Sequence, residues 1–319
     1  MKNKSADVLY CGVNENKIKD AEPVLDEVNF GLLKKWIIER YNIHLRKDVL
    51  NQDPPWTKNQ VLSNYRFCNV RREHDRESKW LIKNVCNNNL SYENKLLNCI
   101  LFRLINKSKT VEMFGPLDFS NLDYDLILDK LDKFSEGNKD YVYFSNAFFM
   151  SGPKVVCNKK FGKGGNMVLK MIKLVELYFI QGIIERIKNV KSQEEVYNIL
   201  RSFDGFGEFL AYQIFVDFSY IEEFPFSENE FVVVGPGCKR GLNLIFKDFD
   251  GLSFEEALFW LRDNQNELFG EDFGKLFSDL EDFDKKLNVM NLENCMCEIS
   301  KYIRAINGTG RPRVRYKIT

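Results

Sequence analysis

Apolar residues recur along this chain at the spacing of a helix much more often than at that of a strand, and this period limits the folds open to it. Leu97, Ile100, Leu101, Leu104 and Ile105 fall at i, i+3, i+4, i+7 and i+8 and so line one helix face. Leu33, Trp36, Ile37 and Tyr41 repeat the pattern. Residues 166–189 read as one helix, apolar nearly all round and therefore central, with amphipathic helices over Phe254–Phe269 and Phe273–Leu287 outside it. Strand candidates are short, as in Phe231–Val234. The expected class is all-α, with an N-terminal helical part over 1–120 and a second part over 121–319. With 319 residues the chain has length for a real core, and 27 Phe against 8 Pro predict one rich in rings.

The 46 basic and 46 acidic residues cancel overall but are unevenly placed. From Ser300 to Thr319 there is no acid, while Lys301, Arg304, Arg311, Arg313, Arg315 and Lys317 are all basic. Lys154, Lys159, Lys160 and Lys163 form a second basic stretch, and acids gather between Asp248 and Asp284. Such polarity suits a face turned toward polyphosphate, although a charge run also forms an ordinary solvated surface. Eight scattered cysteines lack zinc or iron-sulfur spacing and are expected to be reduced, mostly buried thiols. The polar start Met1-Lys2-Asn3-Lys4 has no signal-like apolar region, and Leu174–Ile184 is too short to span a bilayer. A cytoplasmic monomer without metal or cofactor is the expectation.

Ser202–Phe215 carries the pattern apolar-x-G-apolar-G-x-x-x-A, with Gly205 and Gly207 in a tight turn and Ala211 one turn into the next helix. This is the helix-hairpin-helix signature, whose backbone amides at a helix N-terminus bind phosphate without reading a base. An ordinary Gly-containing helical turn is the alternative. Phe231–Leu242 reads as an apolar run, a turn and a helix opening with Lys239 and Arg240.

Tyr65–Arg76 is dense in polar groups. If helical, it places Asn69, Arg72, Glu73 and Arg76 in one stripe; alternatively Asp75 caps a helix starting at Arg76, and Asn69–His74 form the loop before it. Arginine and amide groups there suit a phosphate or an extruded base edge, and Glu73 or Asp75 suits a general base. A solvent-facing ladder of ion pairs is the plainer reading. Asp217 lies among Phe215, Val216 and Phe218, where a carboxylate is costly unless paired or used, with Gln213 one turn earlier. His44 and His74 are far apart in sequence and suggest no metal site.

In order, YRFCNVRREHDR (65–76), NCILFRLIN (98–106), YVYFSNAFF (141–149), FDGFGEFLAYQIFVDFSY (203–220) and FVVVGPGCKRGL (231–242) resemble the alpha-glutamyl/putrescinyl thymine pyrophosphorylase group. That group is similar to the helical domain of phage 5-hydroxymethyluracil DNA kinases and is related to helix-hairpin-helix DNA glycosylases. The resemblance covers roughly 60–318 and implies a glycosylase-like helical fold with an N-terminal extension. It departs at Gly235, where those glycosylases place an Asp, and at Phe209, where bifunctional members place a Lys.

Lacking the pattern G-x-x-x-x-G-K-[ST], the chain looks closer to an antiphage glycosylase branch than to the kinase. The resemblance then implies a monofunctional DNA glycosylase that hydrolyses the N-glycosidic bond of a glucosylated hydroxymethyl pyrimidine flipped out of double-stranded DNA. Asp217, followed by Glu73 and Asp75, would stabilise the oxocarbenium transition state. Asn69, Arg72, Arg76 and Gln213 would hold base or sugar, and Gly205, Gly207, Lys239, Arg240, Arg311 and Arg313 the DNA strand. A transferase or pyrophosphorylase acting on hydroxymethylated pyrimidines, and a non-catalytic binding module, are the alternatives.

Overall fold

The computed structural model describes residues 13–138, 140–145, 162–270, 273, 286–310, 312, 315 and 316. Its helices in chain order are α1 (Glu15–Asp20), α2 (Glu27–His44), α3 (Gln60–Asn64), α4 (Arg76–Leu81), α5 (Tyr92–Ile105), α6 (Ser108–Val111), α7 (Tyr124–Gly137), α8 (Gly162–Ile180), α9 (Ile183–Lys188), α10 (Gln193–Arg201), α11 (Glu208–Phe218), α12 (Pro236–Ile245), α13 (Phe254–Phe269) and α14 (Val289–Ile306). The class is all-α. A short antiparallel pair, β1 (Val24–Leu25) with β2 (Phe246–Asp248), sets Val24 against Asp248 and Leu25 against Phe246. Phe231–Val234 is therefore not a strand but a mostly buried extended run leading into α12. The chain forms two compact units, one from the segments up to His74 and from Glu228 onward, the other from Asp75 to Ser227. The boundary expected near residue 120 falls inside the second unit.

In the first unit, α2 starts where the Asp26 carboxylate accepts the Asn29 N–H at 2.9 Å. Its Leu33, Trp36, Ile37 and Tyr41 are buried, as their spacing requires. At Ser253 a reciprocal capping box with Glu256 opens α13, which stops at Gly270 with φ +82°. Helix α12 crosses close upon α14. A Cβ built on Gly241 meets the Met296 carbonyl oxygen at 2.1 Å, and one on Gly237 meets Cys297 Sγ at 2.8 Å, so only hydrogen fits at these two positions without movement.

In the second unit, α5 runs from the Ser91 cap to Asn106, which ends it at φ +48°. Every residue of α5 from Asn94 on is buried, which makes it the centre of the unit. The expected single helix over 166–189 is broken at Gly182, whose φ is +77°, into α8 and α9. Nor is it apolar all round by burial, since Leu177 and Ile180 are exposed. The expected helix over Phe273–Leu287 lies almost wholly outside the described residues, as do Lys154, Lys159 and Lys160 and the side chain of Lys163. Cys86, Cys99, Cys238 and Cys295 are buried as expected, whereas Cys68 is exposed. No helix among the described residues is long and apolar enough to cross a membrane.

Candidate functional site

The densest polar cluster lies in the first unit, where residues 67–74 meet one face of α14. On that helix Asn291, Asn294, Cys295 and Glu298 fall at i, i+3, i+4 and i+7, and each holds the backbone of the loop. Asn291 Oδ1 accepts the Arg72 N–H at 3.0 Å, and Asn294 Nδ2 donates to the Asn69 carbonyl at 2.9 Å. Cys295 Sγ lies 3.7 Å from the Val70 carbonyl, and Glu298 accepts from the Cys68 N–H at 3.4 Å and from Lys301 at 2.5 Å. Within the loop, Asn69 Nδ2 donates to the His74 carbonyl at 2.8 Å. Arg71, Arg72 and Asn69 are thereby buried to within 7% exposure, which is costly for guanidinium groups unless they are engaged. Glu73 keeps a quarter of its side chain in solvent, 3.5 Å from Arg71. The His44 and His74 rings, distant in sequence, stack at 4.2 Å beside the loop, and His44 Nδ1 lies 2.9 Å from Asp48.

Residues 72–74 are a 3-10 turn and α4 starts after Asp75, so of the two local readings of this stretch the loop is the one found. Asp75 sits at the N-cap position of α4 without a side-chain cap bond, and exposed Arg76 pairs with Glu77 at 2.6 Å. Both belong to the second unit.

A second face of α14 carries Glu293 and Cys297 toward the start of α12. The Cys297 thiol donates to Glu293 Oε1 at 3.5 Å. Burial pushes the Glu293 carboxyl up to about 7, and nearby Glu298 adds to the rise; Cys297, Arg72 and the Gly235 amide pull the other way. Burial also raises the thiols of Cys238 and Cys295 well above their usual range. A carboxyl raised on folding contributes stability that is present below its unfolded value near 4.5 and is lost as pH climbs through about 7. A shift of this size corresponds to about 3 kcal/mol. Glu293→Gln is therefore expected to flatten the decline in stability between pH 5 and pH 8 and to be the more stable protein at pH 8. Urea titrations across that range test this, and an unchanged slope rules it out. Sequence reasoning missed Asn291, Glu293, Asn294 and Glu298, although polar residues at helical spacing inside an apolar helix were visible.

Lys239 and Arg240 are exposed near the start of α12, Lys239 with its ammonium 4.8 Å from the centre of the Phe254 ring. Arg311 and Arg313 lie outside the described residues. In the second unit, α10 and α11 are joined by a turn in which Gly205 has φ +93°. Gly207 has an ordinary φ of −73° and open space where a Cβ would go, so of the two glycines only Gly205 is needed for the turn. Gln213 is buried on α11.

Asp217, also on α11, is 0% exposed and bound on both oxygens by one guanidinium. Arg103 Nε donates to Oδ2 at 2.7 Å and Nη2 donates to Oδ1. The same Arg103 reaches Asn106 Oδ1 at 3.2 Å, tying the pair to the left-handed end of α5. A carboxylate held in this way is half of a buried bidentate ion pair, not a group placed to orient water at a sugar. Arg103 was missed although it carries the same signal, a charge set between apolar neighbours, Phe102 and Leu104. Among the described residues, no three His, Cys, Asp or Glu side chains are grouped to hold a metal ion.

The family model for the helical domain of 5-hmdU DNA kinase matches residues 27–311. The chain belongs to this family. A relative named 5-hmdU DNA kinase, from Bacillus phage SP10, is 28% identical over 280 residues, which is 83% of this chain and 43% of the relative. The chain thus spans less than half the length of that relative. No solved structure matches it. These findings overturn the expectation of a monofunctional glycosylase and with it the hydrolase and antiphage assignments, because the family and the relative are named for a kinase, which transfers a group and leaves the glycosidic bond intact. The catalytic role expected of Asp217 in hydrolysis falls with that reaction.

Proposed function

We propose that the chain works in the phosphorylation of 5-hydroxymethyluracil in DNA, holding the modified strand so that a phosphoryl group reaches its hydroxymethyl oxygen. The match to the kinase helical domain over residues 27–311 carries this reading. The loop cluster fits the acceptor side of such a reaction. Glu73, partly open to solvent, would accept the hydroxymethyl proton as the oxygen attacks the terminal phosphorus of a nucleoside triphosphate and the diphosphate leaves, and the buried Asn69 and Arg72 would hold the loop that carries it. The hairpin amides at Gly205 and Gly207 in the second unit would bind DNA phosphate, as would Lys239, Arg240, Arg311 and Arg313 in the first. The donor is assigned no residue, since the chain carries no G-x-x-x-x-G-K-[ST] pattern.

The experiment incubates the protein with radiolabelled ATP and duplexes that differ only in 5-hydroxymethyluracil or thymine, and measures both label transfer and binding anisotropy. Label on modified DNA alone, or tighter binding of modified DNA without transfer, supports the reading. Equal binding of both duplexes with no transfer overturns it.

A further inference from the structure

Ahead of the loop cluster in the chain, and again at Arg315, the first unit carries exposed cations outside any ion-pair network. Lys58, Arg66 and Arg315 are exposed, and among the described residues none of their side chains has an ion-pair or hydrogen-bond partner. Arg66 and Arg315 are remote in sequence but brought together by the backbone, and Lys58 lies two residues beyond Trp56. Tyr65 forms an isolated antiparallel bridge with Arg315, and the Tyr316 N–H donates to the Asn64 carbonyl at 2.9 Å, so the C-terminal segment lies along residues 64–66. Beside it, the exposed Lys47 ammonium is held 5.3 Å from the centres of both the Trp56 and Tyr316 rings, themselves 5.9 Å apart and nearly perpendicular. The platform is fixed from below, because Arg46 donates to the Trp56 carbonyl at 2.6 Å and Trp56 Nε1 to the Gln52 carbonyl at 2.6 Å. Of the acids nearby in sequence, Asp48 faces His44, Glu39 accepts from Thr57 at 2.5 Å, and Asp53 is exposed.

Unpaired surface cations repel one another and are favourable together only when a polyanion screens them. Holding Lys47 between two rings and Arg315 on a bridged strand lowers the side-chain entropy lost when they bind. We infer that Lys47, Lys58, Arg66 and Arg315 form a docking surface for the sugar-phosphate backbone of a DNA strand. Its contacts are with phosphate, because four cations supply charge and donors for phosphate oxygens and no acceptor pattern for a base edge. This inference rests on the proposed action on DNA and adds where the strand lies.

The test compares the full chain with Lys58→Ala/Arg66→Ala/Arg315→Ala and with a charge-matched control, Lys19→Ala/Lys35→Ala/Lys247→Ala. Anisotropy of a labelled 5-hydroxymethyluracil duplex is read over a salt series, with thermal melts to show that each variant is folded. The patch variant is expected to bind about tenfold more weakly at low salt and to lose roughly 2 to 3 from the slope of log K against log salt, at about 0.9 per phosphate contact. The control is expected to keep its slope. If the patch variant keeps the affinity and slope of the parent, or if the control loses as much, the surface is wrong while the proposed function stands. If the parent itself fails to bind DNA, that reading fails and takes this one with it. Loss of binding to phosphatidylserine vesicles with DNA binding retained overturns the inference in favour of a membrane surface.

Discussion

Asp217→Asn is expected to lower the unfolding free energy by about 3–5 kcal/mol, the usual cost of removing one partner from a buried ion pair. Arg103 lies on the most buried helix of its unit, and without the carboxylate its guanidinium has no water to return to. The cost comes from the charge left behind, so the double replacement Arg103→Met/Asp217→Leu is expected to recover most of it. Urea denaturation of the parent, the single variant and the double variant measures this directly. A single variant within about 1 kcal/mol of the parent would show that the pair does not hold the unit together, and would return Asp217 to the set of groups to be tested for function.

Gly241→Ala is expected to have a comparable effect by a different route. The new methyl would meet the Met296 carbonyl oxygen at 2.1 Å and its carbonyl carbon at 2.7 Å. Both are backbone atoms of α14, so relief requires two helices to separate, at about 3 kcal/mol. Gly237→Ala meets a thiol instead, at 2.8 Å, which a side-chain rotation relieves, so about 1 kcal/mol is expected there. Gly207→Ala, with nothing within 4 Å of the added carbon, meets no clash and loses only the preference of the α11 N-cap for Gly over Ala. Thermal melts should therefore place Gly241→Ala well below both Gly237→Ala and Gly207→Ala. Equal melting temperatures for Gly241→Ala and Gly207→Ala would refute the close crossing.

These two sites also show what can be read from the chain before it is folded. The helices α2, α5 and α13 were legible because their apolar spacing is local, and α13 begins and ends on the expected residues. The break at Gly182 was not, because an interior glycine can stay in a helix or leave it, and here its positive φ takes it out. The polar loop was visible as a string of residues, but the side chains that support it sit on α14, more than two hundred positions away in sequence, and nothing local announces such a pairing. Asp217 was noticed for the right reason, the cost of a charge among rings, and given the wrong use, because an equally isolated arginine on another helix neutralises it. The reaction was misjudged for a related reason: kinases and glycosylases share the resemblance, and a shared helical scaffold does not specify which bond is broken.

The first unit is made of two stretches of chain with the whole of the second unit between them. The ribosome therefore releases α2 long before α14, the helix that packs on it, has been made. At roughly 5–20 residues per second the wait is on the order of ten seconds or more. Throughout it the nascent Leu33, Trp36 and Ile37 have no final cover, while the intervening stretch, continuous in the chain, is free to fold as soon as it emerges. A polypeptide terminated before Val289 should accordingly yield one protease-resistant core from the interior of the sequence, with both flanks digested.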